Sequence, residues 1–487
     1  MNVLFVSAES DPFAKVGGLA DVVGSLPKAL RQRGIDARVL MPFYGFIDPA
    51  RWQIEHLLSF QLPRKSGTAD CHLFVTEHDG VPVYFLRSWP YFGDEGVVYT
   101  QWDWDCPRFI FFCQAAIAAV DALREGVGWQ PDVLHANDWH TGLVPFLVDG
   151  QRWRHEWSGV GSLLTIHNMA YQGDHAGRFL YDAGVAARLQ PDLEARGLTD
   201  NMLGTAIAFS DIVTTVSPRY AVEIQYPHAG YGLDDLIRTR IPDLYGILNG
   251  LDLDLWDPET DSQLASNFNA TNFEQKRPSN KGALQRAAGL EVREDVPLIG
   301  MVTRLVWQKG IDLALPALRH LLAGYDVQFV GLGSGEQLYN DQLQKLASDF
   351  GWKARAFIGY NAAVAQQVYA GSDLFLMPSH FEPCGVGQMI AMRYGSLPVV
   401  RETGGLADTV QNFDGRHGEY GTGFVFQWEE ADALYNTLVW ALRAYAGHKT
   451  AFRRMQRRAM ETDFSWARSA GEYAALYDDA VRRHRGG

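Results

Sequence analysis

Residues 2–41, NVLFVSAESDPFAKVGGLADVVGSLPKALRQRGIDARVLM, read in order as strand, glycine loop, helix and strand. Positions 2–8 are apolar and β-prone, and positions 36–41 (DARVLM) are strand-like again. Between them Leu19, Val22, Val23, Leu26 and Leu30 recur at helical spacing. Such a βαβ unit implies a parallel sheet with a right-handed crossover. Buried-strand candidates continue at DVLHAN (132–137), SLLTIH (162–167) and IVTTVS (212–217). A second series begins late: PLIGMVT (297–303), VQFVGLG (327–333), ARAFIG (354–359), DLFLMPS (373–379) and LPVVRE (397–402). These runs alternate with helix-length segments, the pattern of another doubly wound sheet.

Turn formers in GILNGLDLDLWDP (246–258) and a polar stretch near 260–280 separate the two series. The expected organisation is an α/β domain over 1–245, a second over 246–464, and a helical tail, 465–487, packing back across the boundary. At 487 residues the chain exceeds the size at which one core stops growing, which also favours two domains. Ligands of open α/β sheets bind beyond the carboxyl ends of strands. Two facing sheets would therefore put a site in the cleft between domains, with motifs just after strands in both halves.

The formal net charge of -14 disfavours a nucleic-acid track, which needs a basic field, and suits a neutral polymer. The cysteines Cys71, Cys106, Cys113 and Cys384 show neither CxxC pairing nor zinc spacing, as expected of reduced thiols in a cytosolic protein. The N-terminal residues lack a basic-then-apolar signal pattern. Phe109 to Val120 falls short of the roughly 20 residues of a membrane-spanning helix. A cytoplasmic protein without membrane partner is the expectation.

Four groups of residues carry chemistry. Lys15-Val16-Gly17-Gly18 follows strand one and opens a helix, where glycines admit a ligand and a helix N-terminus favours an anion. It matches neither the dinucleotide fingerprint nor the P-loop. Arg304 and Lys309, in GMVTRLVWQKG, can converge on one diphosphate. Glu382 lies in FEPCGVGQ, after a strand and before a helix, where a carboxylate can bond sugar hydroxyls. HANDWH (135–140) and TIHNMAYQG (165–173) place Asp138 and His167 after two first-half strands, whereas His135 lies within its strand and reads as structural. Taken singly, each group also has a plain structural reading: a turn, solvated cations, a helix-start acid, a core histidine.

Taken together, KVGGLADVVGSLPKAL, HANDWH, TIHNMAYQG, GILNGLD, TRLVWQKG, PSHFEPCG and TGGLADTV resemble the bacterial glycogen synthase and plant starch synthase family, in order and over essentially the whole chain. The resemblance implies a GT-B fold, two Rossmann-like domains over a deep cleft. It implies a retaining glucosyltransferase with ADP-glucose as donor, glycogen or malto-oligosaccharide as acceptor, and neither metal nor pyridoxal phosphate. Carried over by motif, Lys15 and Gly18 contact donor phosphate and sugar, and Arg304 and Lys309 hold the diphosphate. Glu382, Cys384, Gly385 and Gly387 engage the glucosyl unit. Asp138, His167 and Asn249 line the sugar side, Tyr99 joins them, and Tyr360 lies near adenine. Lys15, Asp138, His167, Arg304, Lys309 and Glu382 form the catalytic set.

One departure stands out: FEPCGVGQ has Gly387 where the family usually has Thr, losing a hydroxyl that could bond the diphosphate. Loss of one hydrogen bond to a charged group is worth about 1.5–3 kcal/mol. Three alternatives remain open at this point. They are double displacement with Asp138 as nucleophile, a phosphorylase-like enzyme using pyridoxal phosphate, and a non-catalytic nucleotide-sugar or glucan-binding protein.

Overall fold

A computed structural model describes residues 1–485. It divides into two compact units, Met1–Gly250 together with the segment from Trp466 onward, and Leu251–Ser465. The expected boundary at residue 245 is corrected: it falls inside a strand, Leu244–Gly246, that pairs with its neighbour in the first sheet.

The first unit is built on nine strands: β1 (Asn2–Val6), β2 (Asp36–Pro42), β3 (Glu55–Arg64), β4 (Gly67–His78), β5 (Val81–Arg87), β6 (Val133–Asn137), β7 (Gly161–Ile166), β8 (Ile212–Thr215) and β9 (Leu244–Gly246). Their order is β3-β4-β5-β2-β1-β6-β7-β8-β9. From β5 to β9 every neighbour is parallel, with Phe5 opposite Val39 on one side and His135 on the other. Chain order reverses around β1, because β2 lies on one side and β6 on the other. The loops leaving β1 and β6 therefore diverge and leave a crevice at their carboxyl ends.

The sequence reading missed β3, β4 and β5, which join the sheet as antiparallel neighbours β3-β4 and β4-β5. The residues of β3 and β4 are mostly exposed or half-buried, so those two strands show none of the uniform apolar runs that mark a strand buried on both faces, whereas β5 is such a run, VPVYFL, that the reading passed over. The apolar stretch at 109–120 also needs correction. It belongs to a longer helix, Trp102–Val127, long and apolar enough to cross a membrane, yet mostly buried within the protein.

The second unit holds β10 (Leu298–Leu305), β11 (Gln328–Gly335), β12 (Ala354–Ile358), β13 (Leu374–Met377), β14 (Leu397–Arg401) and β15 (Phe424–Phe426), in the order β12-β11-β10-β13-β14-β15. All pairs are parallel. Side chains alternate between two cores: Ile299, Phe329 and Leu374 face one, Leu298, Val330 and Phe375 the other. Here the order reverses between β10 and β13.

The tail forms a helix, Trp466–Arg485, that packs on the helix Gly18–Gln32 and on β7. Its Tyr477 hydroxyl lies 2.8 Å from His135 Nδ1, whose Nε2 lies 2.6 Å from Thr165 Oγ1. Burial lowers the His135 pKa well below its ordinary value, so the ring is a neutral, bridged core group. Tyr477→Phe strands one buried ring nitrogen and is expected to destabilise the first unit by about 1–3 kcal/mol in urea titration. An unchanged midpoint would remove the bridge from the account of this core.

Candidate active site

In the first unit the β1 loop carries Glu9, a buried carboxylate. Its Oε2 accepts the amides of Val16 (2.7 Å) and Gly17 (2.9 Å), and its Oε1 accepts the Tyr99 hydroxyl (2.5 Å). This corrects the expectation that the glycine loop offers unpaired amides to an anion: two of them already serve Glu9. What Gly17 and Gly18 contribute is open space, since a Cβ on either would meet nothing within 4 Å. Lys15 reaches Asp21 (2.5 Å) and Asp11 (3.3 Å). Desolvation lowers its pKa, but the two carboxylates outweigh that effect and the net shift is upward.

Beside it, β6 ends in Asn137 and the chain turns at Asp138, which holds φ 55° and ψ -174°. That conformation is costly for a residue with a Cβ, by about 1–3 kcal/mol, and such strain concentrates at functional sites. Asp138 Oδ1 accepts the backbone N–H of His167 at 2.7 Å. Burial pushes the Asp138 carboxyl up to about 7, against the opposing amides of His167 and Asn168. Asn137 Nδ2 donates to the carbonyls of Val6 and His135, which leaves its Oδ1 facing His167 Nε2 at 3.0 Å. Nε2 is therefore the protonated nitrogen and Nδ1 the acceptor. Burial lowers the His167 pKa to about 3, so the ring stays neutral. His140, lowered to about 3 mainly by burial, stacks on Tyr99 with ring centroids 4.9 Å apart. Asn249 is buried, and its Oδ1 has no hydrogen-bond partner.

In the second unit, Arg304 is exposed near the end of β10 and donates to Gln308 Oε1 at 3.2 Å. Lys309 donates to both oxygens of Glu382, at 2.8 and 2.6 Å, with side-chain exposures of 15% and 7%. Ser379 adds a third bond to that carboxylate, at 3.0 Å. The structure thus joins two residues that sequence had assigned separately, one to phosphate and one to sugar. Gly310 must be glycine: its φ is +67°, and a Cβ would lie 2.0 Å from the Pro378 carbonyl oxygen. The FEPCG loop rests directly on the backbone of 403–405, where a Cβ on Gly405 would lie 2.0 Å from the Cys384 carbonyl oxygen. Gly405 donates its amide to the carbonyls of Glu382 (3.0 Å) and Pro383 (3.2 Å).

Cys384 is buried, Gly385 takes φ +73°, and Gly387 begins the helix Gly387–Arg393. A Cβ at Gly387 would meet Met377 Sδ at 3.3 Å and Tyr369 Oη at 3.4 Å, a close neighbourhood. Tyr360, expected near adenine, is 91% exposed just beyond β12. Sequence reasoning passed over Glu9, Asn137, Ser379 and the Gly404-Gly405 pair. A carboxylate between strand one and a glycine pair was the available signal for Glu9. Asn137 and the Gly404-Gly405 pair act through contacts distant in sequence, while Ser379 bonds Glu382 three residues on.

Comparison with known proteins bears on the family of the chain. The starch synthase catalytic domain family matches residues 2–239, and the group 1 glycosyl transferases match 286–458. A glycogen synthase from Desulforudis audaxviator is 42% identical over 99% of this chain and 97% of its own length. One from Geobacillus stearothermophilus is 41% identical over 99% and 98%. The catalytic domain of starch synthase IV from Arabidopsis thaliana, solved bound to ADP and acarbose, has a TM-score of 0.87 at 34% identity, covering 98% of this chain and 99% of its own. Sucrose-phosphate synthase from Thermosynechococcus elongatus, at 18% identity and TM-score 0.62, shares the fold. With full-length relatives at this identity and its paired Rossmann-like sheets, the chain belongs to the glycogen and starch synthase family of GT-B glycosyltransferases.

Proposed function

We propose that this chain transfers glucose from ADP-glucose to the non-reducing 4-OH of an α-1,4-glucan, with retention of configuration, elongating glycogen. The observation that carries the reading is the Lys309–Glu382 pair beside Arg304 at the β10/β13 reversal, in a chain whose full-length relatives are glycogen synthases. The donor is argued from the starch synthase solved with ADP. The reaction is assigned to the cytoplasm, in keeping with four buried cysteines, none in a disulfide.

In this reading the glucosyl–phosphate bond ionises while Lys15, Arg304 and Lys309 stabilise the departing ADP. The acceptor 4-OH attacks from the same face, and its proton passes to the departing phosphate oxygen. Glu382 and Asn249 hold sugar hydroxyls, the partnerless Asn249 oxygen being suited to accept one. Asp138 accepts the His167 amide and so fixes the residue whose backbone carbonyl or ring, in this reading, holds the oxocarbenium-like sugar. A raised pKa makes Asp138 a weaker candidate for the nucleophile of a double displacement. No metal or pyridoxal phosphate is assigned a role; the chain's own cations carry the leaving-group charge.

Nucleotide release from ADP-glucose, with and without glycogen and read beside glucan elongation, tests the reading. Glycogen-dependent ADP release with elongation is the expected outcome; donor binding without turnover would favour a binding protein. Arg304→Ala is expected to lower kcat/KM by about 10²–10³, as for loss of an oxyanion donor, with no shift in Tm because the side chain is exposed. A loss within about threefold would sink the assignment.

Gly387→Thr and Gly387→Ala separate hydroxyl from bulk. Both must displace Met377 Sδ, so any gain in donor affinity of Thr over Ala reads the added hydroxyl, expected at up to about 3 kcal/mol.

Asp138 also predicts a pH dependence. Its folded pKa of about 7 exceeds the ordinary 3.8, so the folded chain keeps a proton that the unfolded chain has lost. Its contribution is full below pH 3.8 and is lost as pH rises through about 7. Relative to Asp138→Asn, the parent should therefore lose thermal stability from pH 4 toward pH 7. Parallel Tm profiles of the two proteins would refute it.

A further inference from the structure

We propose that His380 is a positioning residue for the donor site, a doubly protonated ring that clamps the Lys309 loop to the Glu382 loop. Donor binding then weakens as pH rises and the clamp loses a proton. The inference rests on the reading of Arg304, Lys309 and Glu382 as the donor site. His380 is buried, and both of its ring nitrogens meet carboxylates. Nε2 lies 2.8 Å from Asp312 Oδ1, and Nδ1 lies 2.6 Å from Glu429 Oε1. Asp312 stands in the first turn of the helix Ile311–Gly324, directly after the Lys309 loop, and Glu429 follows β15. The backbone repeats the link: His380 donates its amide to the Gln308 carbonyl at 2.9 Å. Arg401, the last residue of β14, donates to the carbonyls of Ser379 and His380. Residue 380 therefore ties 307–312 to 379–382, the two segments whose side chains meet as Lys309 and Glu382.

The partners dictate the charge of the ring. A neutral imidazole has one N–H and one lone pair, so between two carboxylates it donates once and repels once. Both contacts are attractive only when both nitrogens carry protons. Trp307 favours the same state: its ring stacks on His380 with centroids 4.2 Å apart and planes 10° from parallel. An aromatic face attracts a cation laid against it. Few other charges stand near. Arg401 Nη2 lies 3.7 Å from Glu429 Oε2 and shares that carboxylate with the ring. Behind Asp312, from the helix Gln337–Asp349, is Tyr339, whose pKa burial raises. Lys309 and Glu382 already neutralise each other on the joined loops.

Loss of one ring proton turns one of the two contacts from a hydrogen bond into a meeting of lone pairs. The three segments then lose a common anchor, and a small displacement of Lys309 is costly because positioning carries so much of transfer. Asp138, held near 7, titrates over the same range, but it belongs to the first unit and is unchanged in any His380 variant.

The test is calorimetric ADP affinity of the full-length protein from about pH 6 to about pH 9, beside kcat/KM for ADP-glucose. His380→Arg keeps a charged donor to both carboxylates at every pH, so it serves as the reference. Across that span the parent should lose about five- to tenfold more ADP affinity than His380→Arg, and His380→Gln should bind weakly throughout. Glu429→Gln removes one carboxylate from a half-exposed position and should move the parent's transition to lower pH. Parallel profiles of the parent and His380→Arg overturn the clamp, as does a Glu429→Gln transition at the parent's pH. ADP binding needs no turnover. An inactive protein whose ADP affinity follows the expected profiles therefore supports the clamp and counts only against the transfer reading.

Discussion

Reversal of strand order in a parallel sheet is the constraint on which the rest of this protein depends. A sheet wound outward in both directions from one strand must send two neighbouring loops apart, and nothing regular fills the gap at their carboxyl ends. In the first unit the gap lies between β1 and β6, and the loops there carry Glu9, Lys15 and Asp138. In the second it lies between β10 and β13, and the loops carry Lys309 and Glu382. Within each unit, residues from loops far apart in sequence are gathered at one sheet edge for this topological reason.

Charge compensation is the second theme. Lys15 is paired with Asp21 and Asp11, and Lys309 with Glu382, before any substrate charge is present. A cation and carboxylate left alone near an apolar core would each carry a desolvation penalty, which pairing offsets. The Lys309–Glu382 pair is the more enclosed, so it is a fixed dipole rather than two mobile charges. Arg304 is the exposed member of the set. In the proposed reading, these local cations are what would meet a pyrophosphate in a chain whose net charge is -14.

Much of this architecture is legible from sequence. The apolar parallel strands announce themselves because both faces are buried, as at LIGM (298–301) and LFLM (374–377). The hairpin of β3 and β4 does not, since its half-exposed residues mix polar and apolar types as surface loops do. Motif residues after strands were legible for the same topological reason. Their partners were not: that Glu9 would take the glycine-loop amides, or that Asn137 would fix the His167 tautomer, depends on orientations set by the finished fold. Loop backbones pressed together at Gly405 and Cys384 are likewise invisible until the chain is closed.

The helix that begins at Trp466 completes the core of the first unit, with Tyr477 against His135 and Ala480 against Gly161. The second unit, by contrast, is continuous from Leu251 to Ser465. On the ribosome, domains generally condense as units while synthesis proceeds. Here the later-coded unit has all its residues first, while the earlier one waits with an open core face until the final helix emerges. The order of maturation is therefore the reverse of the order of translation, and a chaperone holding the nascent chain would find its apolar target on the older half.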